Sequence, residues 1–118
     1  MKVFVYGTLM SGYGNNRLLQ SSTFVNKHTV QDYKLYYAGF PVATPSEGDQ
    51  ISGEIWDIGE DSEILRSLDR LESEGFMYNR VEIEPGLWMY VGNSQFWNNF
   101  SHREECLKDE SGVYYWSR

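Results

Sequence analysis

The sequence predicts an α+β fold with a small, mostly antiparallel β-sheet or barrel. Short segments rich in β-branched and aromatic residues outnumber those with helical spacing, and the two kinds do not alternate regularly. At 118 residues, 41% of them hydrophobic, the chain has the size of one domain and can bury a core without disulfides. We therefore expect a single domain.

The first half of the chain is predicted to contain three strands. Residues 2–6 read as a strand buried on both faces, because nearly all of them are apolar or aromatic. Residues 7–14 form a glycine-rich loop, after which Asn15 or Asn16 is expected to cap a short helix. Two more strands are predicted at 33–37 and 50–58, separated by a loop that runs from Gly39 to Gly48 and also contains Pro41 and Pro45.

Residues 61–72 are predicted to form an amphipathic helix capped by Asp61 or Ser62. At about 100° per residue, Glu72 lies about 80° from Ile64, between Leu68 at about 40° and Leu65 at about 100°. This carboxylate therefore points the same way as the leucines.

The position of Glu72 has three explanations. The helix could fray before Glu72, so that the side chain reaches water, or Glu72 could form an ion pair with Arg80. The third explanation is a functional carboxyl group that faces a cavity, with a pKa raised by desolvation. The helical spacing alone leaves all three open.

The second half is predicted to continue with a hairpin and a polar, aromatic tail. Segments 81–83 and 87–91 alternate around a Pro85-Gly86 turn. The tail from Asn93 is expected to contain a short helix near 102–108.

Composition excludes several function classes. A net charge of −7 disfavours nucleic acid and anionic membranes as partners. One cysteine, Cys106, excludes an intramolecular disulfide and a cysteine metal cluster, and His28 and His102 lack the spacing of a zinc site. No apolar run has the length of a membrane span or of a signal peptide, so we expect a cytoplasmic protein. The sequence sets no oligomeric state.

The glycine-rich loop at 7–14 is not a nucleotide-binding motif. Gly7 and Gly12 have the spacing of a P-loop, but Tyr13 and Gly14 stand where Lys and Ser/Thr would bind phosphate and Mg²⁺, and G-x-G-x-x-G does not occur. A tight strand-to-helix turn explains the glycines equally well. Such a turn also exposes successive backbone N–H groups, which can bind a carboxylate or a carbonyl oxygen.

Four segments in order resemble one known family. They are VFVYGTL followed by GYGN, then GFPVATP, ISGEIWDI and LDRLESEGFMYNRVEI. Together they resemble the γ-glutamylcyclotransferase-like superfamily, closest to its γ-glutamylamine cyclotransferase and plant AIG2-like branch. The segments cover most of residues 2–92, whereas the tail, 93–118, matches no motif. We therefore expect one domain of this family over residues 1–118.

The resemblance implies a small mixed β-barrel flanked by short helices, and an enzyme that cyclises a γ-glutamyl amide to 5-oxoproline and a free amine. It implies no cofactor and no metal, and a small-molecule γ-glutamyl substrate as the partner. Glu72 would be the general acid/base. Ser73 follows it where many members have glycine. The implied substrate-binding residues are Tyr6, Gly7, Thr8, Leu9, Asn15 and Tyr78.

The implied chemistry suits these residue types. The substrate's own α-amine attacks its γ-carbonyl, and a glutamate with a raised pKa can take the amine proton and deliver one to the leaving group. Two other functions stay open: a non-catalytic module that binds a small metabolite or a protein on the same fold, and a maturation factor that removes a γ-glutamyl protecting group.

Several polar and aromatic residues have simpler structural interpretations. Asn15 could act only as a helix cap, and Tyr78 could pack in the core with its hydroxyl satisfied. We expect Glu54 to form a structural hydrogen bond or ion pair, and Asp69 to brace the loop. Arg80 is expected to be a supporting charge, and Tyr114, Tyr115 and Trp116 to cover the barrel.

Overall fold

The computed structural model describes residues 1–100 and 103–117. A mixed, mostly antiparallel sheet of eight strands curls into a half-barrel and carries a few short helices, which confirms the predicted fold class. The helical segments are a 3₁₀ helix at Gly14–Leu19, α1 at Ser62–Glu72 and α2 at Ser94–Trp97. The strands are β1 (Lys2–Val5), β2 (Thr23–Tyr37), β3 (Pro41–Asp57), β4 (Tyr78–Glu84), β5 (Leu87–Gly92), β6 (Glu104–Glu105), β7 (Leu107–Lys108) and β8 (Tyr114–Tyr115).

Strand β1 lies in the middle of the sheet, as its apolar composition predicts. It pairs antiparallel with β3 and parallel with β5. Phe4 packs in the core on one face, while Val3 and Val5 pack in a second core on the other. Because side chains alternate between faces and both faces are covered, the strand is a continuous apolar run.

Strands β2 and β3 differ from the prediction, because they form one long hairpin. The predicted strands 33–37 and 50–58 are parts of β2 and β3, and residues 41–48 belong to β3 rather than to a loop. Proline is compatible with a strand at its first residue or beside a bulge, where no ladder hydrogen bond is needed. Pro41 is the first residue of β3, and Pro45 pairs with Tyr33 next to a register shift at Asp32.

Helix α1 begins and ends at identifiable caps. The Asp61 carboxylate accepts hydrogen bonds from the backbone N–H of Glu63 at 2.8 Å and of Ile64 at 3.4 Å, so Asp61 is the N-cap. Ser73 adopts a left-handed conformation, with φ of +48°, and ends the helix. Leu68 is fully buried in the second core and anchors the helix to the sheet.

The C-terminal segment contains the expected hairpin and a tail that returns to the sheet. β4 and β5 pair antiparallel around Pro85-Gly86, as predicted. The helix expected near 102–108 is wrong for the residues described, since β6 and β7 lie there; His102 is outside the described residues. β6 pairs with β2, and β8 pairs with β3. The tail therefore covers one end of the half-barrel with Tyr114, which is 1% exposed.

Residues 1–100 and 103–117 contain neither a membrane-spanning helix nor a cluster of metal-ligating side chains. None of their helices is long and apolar enough to cross a membrane. In the same two ranges, no group of three or more His, Cys, Asp or Glu side chains is placed to hold a metal ion.

Candidate active site

A cavity of about 120 Å³ lies where the loop after β1 meets the start of β3, the end of α1 and the hairpin β4–β5. We refer to it as the inner cavity. All seven residues that the sequence singled out as catalytic or substrate-binding line it: Tyr6, Gly7, Thr8, Leu9, Asn15, Glu72 and Tyr78. The fold thus brings together two segments that are more than fifty residues apart.

The wall of the inner cavity also contains residues that sequence reasoning did not assign to the site. These are Phe4, Val5, Phe40, Pro41, Leu71, Met77 and Tyr90. Tyr90 belongs to the alternating segment 87–91, which predicted a strand but not which strand would lie beside it. Its parallel neighbour β1 is known only from the tertiary structure.

Gly7 allows the loop to pack against the first residue of β3. A Cβ atom on Gly7 would lie 2.6 Å from the Pro41 Cγ atom, which is closer than real contacts allow. The Gly7 carbonyl accepts a hydrogen bond from the Met10 N–H at 3.0 Å, which closes a turn. The backbone N–H groups of Gly7, Thr8 and Leu9 donate to no acceptor within residues 1–100 and 103–117. All three residues line the inner cavity.

Two asparagines hold this loop in place instead of capping the following helix. The 3₁₀ helix has Tyr13 at its N-cap and no side-chain cap, so the predicted capping role is wrong. The Asn15 Nδ2 group donates to Thr8 Oγ1 at 2.8 Å, and the Asn16 Nδ2 group donates to the Leu9 carbonyl at 2.7 Å. Asn15 thereby orients a hydroxyl group that lines the inner cavity.

The middle of the loop is held by a buried carboxylate. Glu54 is 8% exposed, and its Oε1 atom accepts hydrogen bonds from Ser11 N at 2.8 Å, Ser11 Oγ at 3.1 Å and Trp56 Nε1 at 3.1 Å. This confirms the structural interpretation of Glu54. The loop is thus held near its start by the asparagines that follow it and at Ser11 by a side chain of β3.

Glu72 faces the inner cavity from the last turn of α1, and both structural explanations of its position are wrong. The helix continues through Glu72, and Arg80 binds Asp69 instead. The hydrogen bonds and ion pairs of the described residues include none to the Glu72 carboxylate. Burial raises its pKa to about 7, because the charged form loses water without gaining a partner. Near neutral pH, the carboxyl group can therefore either accept or donate a proton.

Two tyrosines form the wall beside Glu72. The Tyr6 hydroxyl donates to the Tyr90 carbonyl at 2.7 Å and accepts from the Ala43 N–H at 3.3 Å. The Tyr78 hydroxyl donates to the Pro41 carbonyl at 2.8 Å, so Tyr78 packs as a satisfied core residue and lines the inner cavity as well. Burial, followed by repulsion from Glu72 among other groups, raises the pKa of both phenols, which stay neutral.

An ion pair attaches α1 to the hairpin one turn before Glu72. The Arg80 guanidinium donates to one oxygen of Asp69, and the Tyr90 hydroxyl donates to the other at 2.6 Å. Asp69 and Arg80 are each about three-quarters buried, so water competes only partly for these contacts. Asp69 therefore braces α1 against β4 and β5 rather than the glycine-rich loop.

Replacing Asp69 with Asn is expected to lower the free energy of unfolding by about 1–3 kcal/mol, because a partly buried guanidinium then lacks its carboxylate. Urea denaturation followed by tryptophan fluorescence measures this change. Glu74→Gln is the control, since Glu74 is exposed and its side chain accepts a hydrogen bond from the Arg80 backbone N–H at 3.3 Å, a bond that the glutamine oxygen can also accept. Equal stability of Asp69→Asn and Glu74→Gln would show that the ion pair does not brace the helix.

Comparison with known proteins identifies the family. The model of the family described as γ-glutamyl cyclotransferase, AIG2-like, matches residues 3–116, and the chain belongs to this family. The match includes most of the tail, in which no motif was recognised from the sequence.

Named relatives support the same family. The chain is 34% identical over 95 residues to the γ-glutamylcyclotransferase family protein YtfP of Escherichia coli, covering 77% of this chain and 81% of that protein. It is 34% identical over 96 residues to bovine γ-glutamylaminecyclotransferase, covering 72% of this chain and 56% of the bovine protein. A solved structure of an AIG2-like protein from mouse has a TM-score of 0.67 and 26% identity, covering 99% of this chain and 95% of the mouse chain.

Proposed function

We propose that this chain is a γ-glutamyl-amine or γ-glutamyl-peptide cyclotransferase that releases 5-oxoproline and a free amine, with Glu72 as the general acid/base. The observation that carries the proposal is the Glu72 carboxyl group, which faces the inner cavity with a pKa near 7. Family membership supports an activity of the γ-glutamylcyclotransferase type.

The size of the inner cavity suits the γ-glutamyl group. An apolar cavity of roughly 150 Å³ accommodates benzene, so one of about 120 Å³ has room for a five-membered ring. Its apolar walls favour a folded substrate in which the α-amine approaches the γ-carbonyl carbon. Holding both groups in this near-attack arrangement replaces an encounter in solution with an intramolecular step.

The first step removes a proton from the substrate. At neutral pH the α-nitrogen is an ammonium group and has no lone pair with which to attack. The ionised Glu72 carboxylate takes one proton from it, and the freed amine forms a C–N bond to the γ-carbonyl carbon. The carbonyl oxygen becomes an oxyanion. The free N–H groups of Gly7, Thr8 and Leu9 are suited to stabilise this charge or to bind the substrate α-carboxylate.

The second step breaks the original amide bond. The protonated Glu72 delivers its proton to the amide nitrogen, the C–N bond to the leaving group breaks, and the carbonyl re-forms within the lactam ring. The ring nitrogen then gives its second proton to Glu72, which passes it to the released amine, so that two protons in all pass from the α-nitrogen to the leaving nitrogen. The products are 5-oxoproline and a protonated amine. The atoms and protons of the reaction balance without water, a metal or a redox group.

The proposal is tested by measuring 5-oxoproline release from γ-glutamyl-ε-lysine, other γ-glutamyl amines, γ-glutamyl dipeptides and glutathione. We expect release from at least one of them without added cofactor. The absence of release from every compound, with calorimetric binding of the same compounds retained, would overturn the enzymatic proposal and favour a binding module on the same fold.

A further inference from the structure

A second, larger space of about 680 Å³, which we call the outer groove, adjoins the inner cavity. Four residues line both: Thr8, Asn15, Phe40 and Pro41. The opposite wall of the outer groove is built by the tail, with Glu104–Glu105, Leu107 and Trp116 among its residues.

This arrangement sets where a leaving group would lie. The inner cavity has room for the γ-glutamyl group, and the amide nitrogen must lie within reach of Glu72 at its wall. A chain attached to that nitrogen has to extend out of the inner cavity. The shared wall of Thr8, Asn15, Phe40 and Pro41 leads it into the outer groove.

The lining of the outer groove combines apolar surface with negative charge. Phe40, Leu107 and Trp116 offer apolar contacts, and Trp116 packs against Tyr13 with ring centroids 4.8 Å apart and the ring planes inclined by 45°. Glu104 and Glu105 are the charged lining residues in the described part of the chain, where the lining contains no Lys or Arg.

The two carboxylates are not equivalent. Lys34 lies 3.5 Å from the Glu105 carboxylate, and the Tyr114 hydroxyl also donates to Glu105. The ion pairs of residues 1–100 and 103–117 include none with Glu104. The charge of Glu104 is thus uncompensated and makes the lining of the outer groove negative. A cation bound there is stabilised, and an anion is repelled.

We propose that the outer groove binds the leaving amine and selects amines whose aliphatic chain ends in a second positive charge, over those that end in a carboxylate. This inference rests on the proposed cyclotransferase function. Glu104 is the specificity-determining residue, and the apolar wall at Phe40 and Trp116 accommodates the chain.

Three γ-glutamyl amides of equal chain length test this selectivity: those of 1,4-diaminobutane, pentylamine and 4-aminobutyrate. They carry a cationic, a neutral and an anionic end at neutral pH. We expect kcat/KM for 5-oxoproline release to be about two- to five-fold higher for the cationic amide than for the neutral one, and lower again for the anionic amide. Raising the ionic strength should reduce these ratios.

Glu104→Gln should bring the cationic-to-neutral ratio close to one. Glu110→Gln is the matched control, because Glu110 lies in the same tail but outside the lining of the outer groove, and it should keep the wild-type ratio. Equal kcat/KM for the three amides, or a ratio unchanged by Glu104→Gln, would overturn the inference alone. No release from any of the three, including the neutral amide, would also overturn the inference, and the proposed function falls with it if the γ-glutamyl dipeptides, glutathione and γ-glutamyl-ε-lysine give no release either.

Discussion

Replacing Glu72 with Gln is expected to lower the rate of 5-oxoproline release by about 10²–10⁴-fold, the range that general acid/base groups contribute. Glutamine has nearly the same shape but cannot take the proton from the substrate ammonium group. Because the carboxylate makes no hydrogen bond or ion pair within residues 1–100 and 103–117, its loss should not disturb the packing around it. Release is measured on the best substrate of the panel.

The stability of this variant provides an internal control. The pKa of Glu72 is raised to about 7 in the folded chain, so the folded state binds the proton more tightly than the unfolded state does. The contribution of Glu72 to stability is therefore complete below its ordinary pKa and is lost as the pH rises through about 7, a loss of at most roughly 3 kcal/mol. Glu72→Gln should melt at a higher temperature than the wild type at pH 8, and at a similar temperature near pH 4.

The matched control for activity is Glu74→Gln, two residues further along. Glu74 is exposed and does not line the inner cavity, so this change should keep the wild-type rate. If Glu72→Gln is well folded and turns over at the wild-type rate, or if Glu74→Gln loses activity to the same extent, the role assigned to Glu72 is wrong.

The second large effect concerns pH. We expect kcat/KM to fall about tenfold per pH unit below about 7, because proton abstraction requires the ionised carboxylate and its population falls at that rate below its pKa. At pH 5 the loss is about 100-fold. The measurement is kcat/KM from pH 3.5 to pH 8 in buffers of constant ionic strength.

The groups beside Glu72 are not expected to produce this acidic limb. Burial raises the pKa of Tyr6 and Tyr78 above the ordinary tyrosine value, so both phenols stay neutral across this pH range. Any residual activity of Glu72→Gln should lack the inflection near pH 7. An inflection near the ordinary glutamate pKa would show that the reacting carboxyl group is in water rather than in the inner cavity.

Parts of this fold were predictable because they depend on near neighbours in the chain. Strand β1 and helix α1 follow from local patterns, namely a continuous apolar run and leucines at helical spacing after Asp61. The position of Glu72 inside the leucine arc followed from the same spacing. The long hairpin did not, because Pro41 and Pro45 read locally as turn residues, whereas the pairing with β2 accommodates them at a strand start and beside a bulge.

The sequence by itself determined the family, the glycine-rich loop and the one carboxylate on an apolar helix face, since all three are patterns among residues close in the chain. The tertiary structure decided that this carboxylate neither frays into water nor pairs with Arg80: Arg80 binds Asp69 instead, and burial raises the pKa of Glu72. It also decided the roles of Asn15 and of the tail, which depend on contacts with Thr8 and with strands β2 and β3. The free energy of such contacts depends on which distant segments the fold brings together, and local sequence patterns do not contain that information.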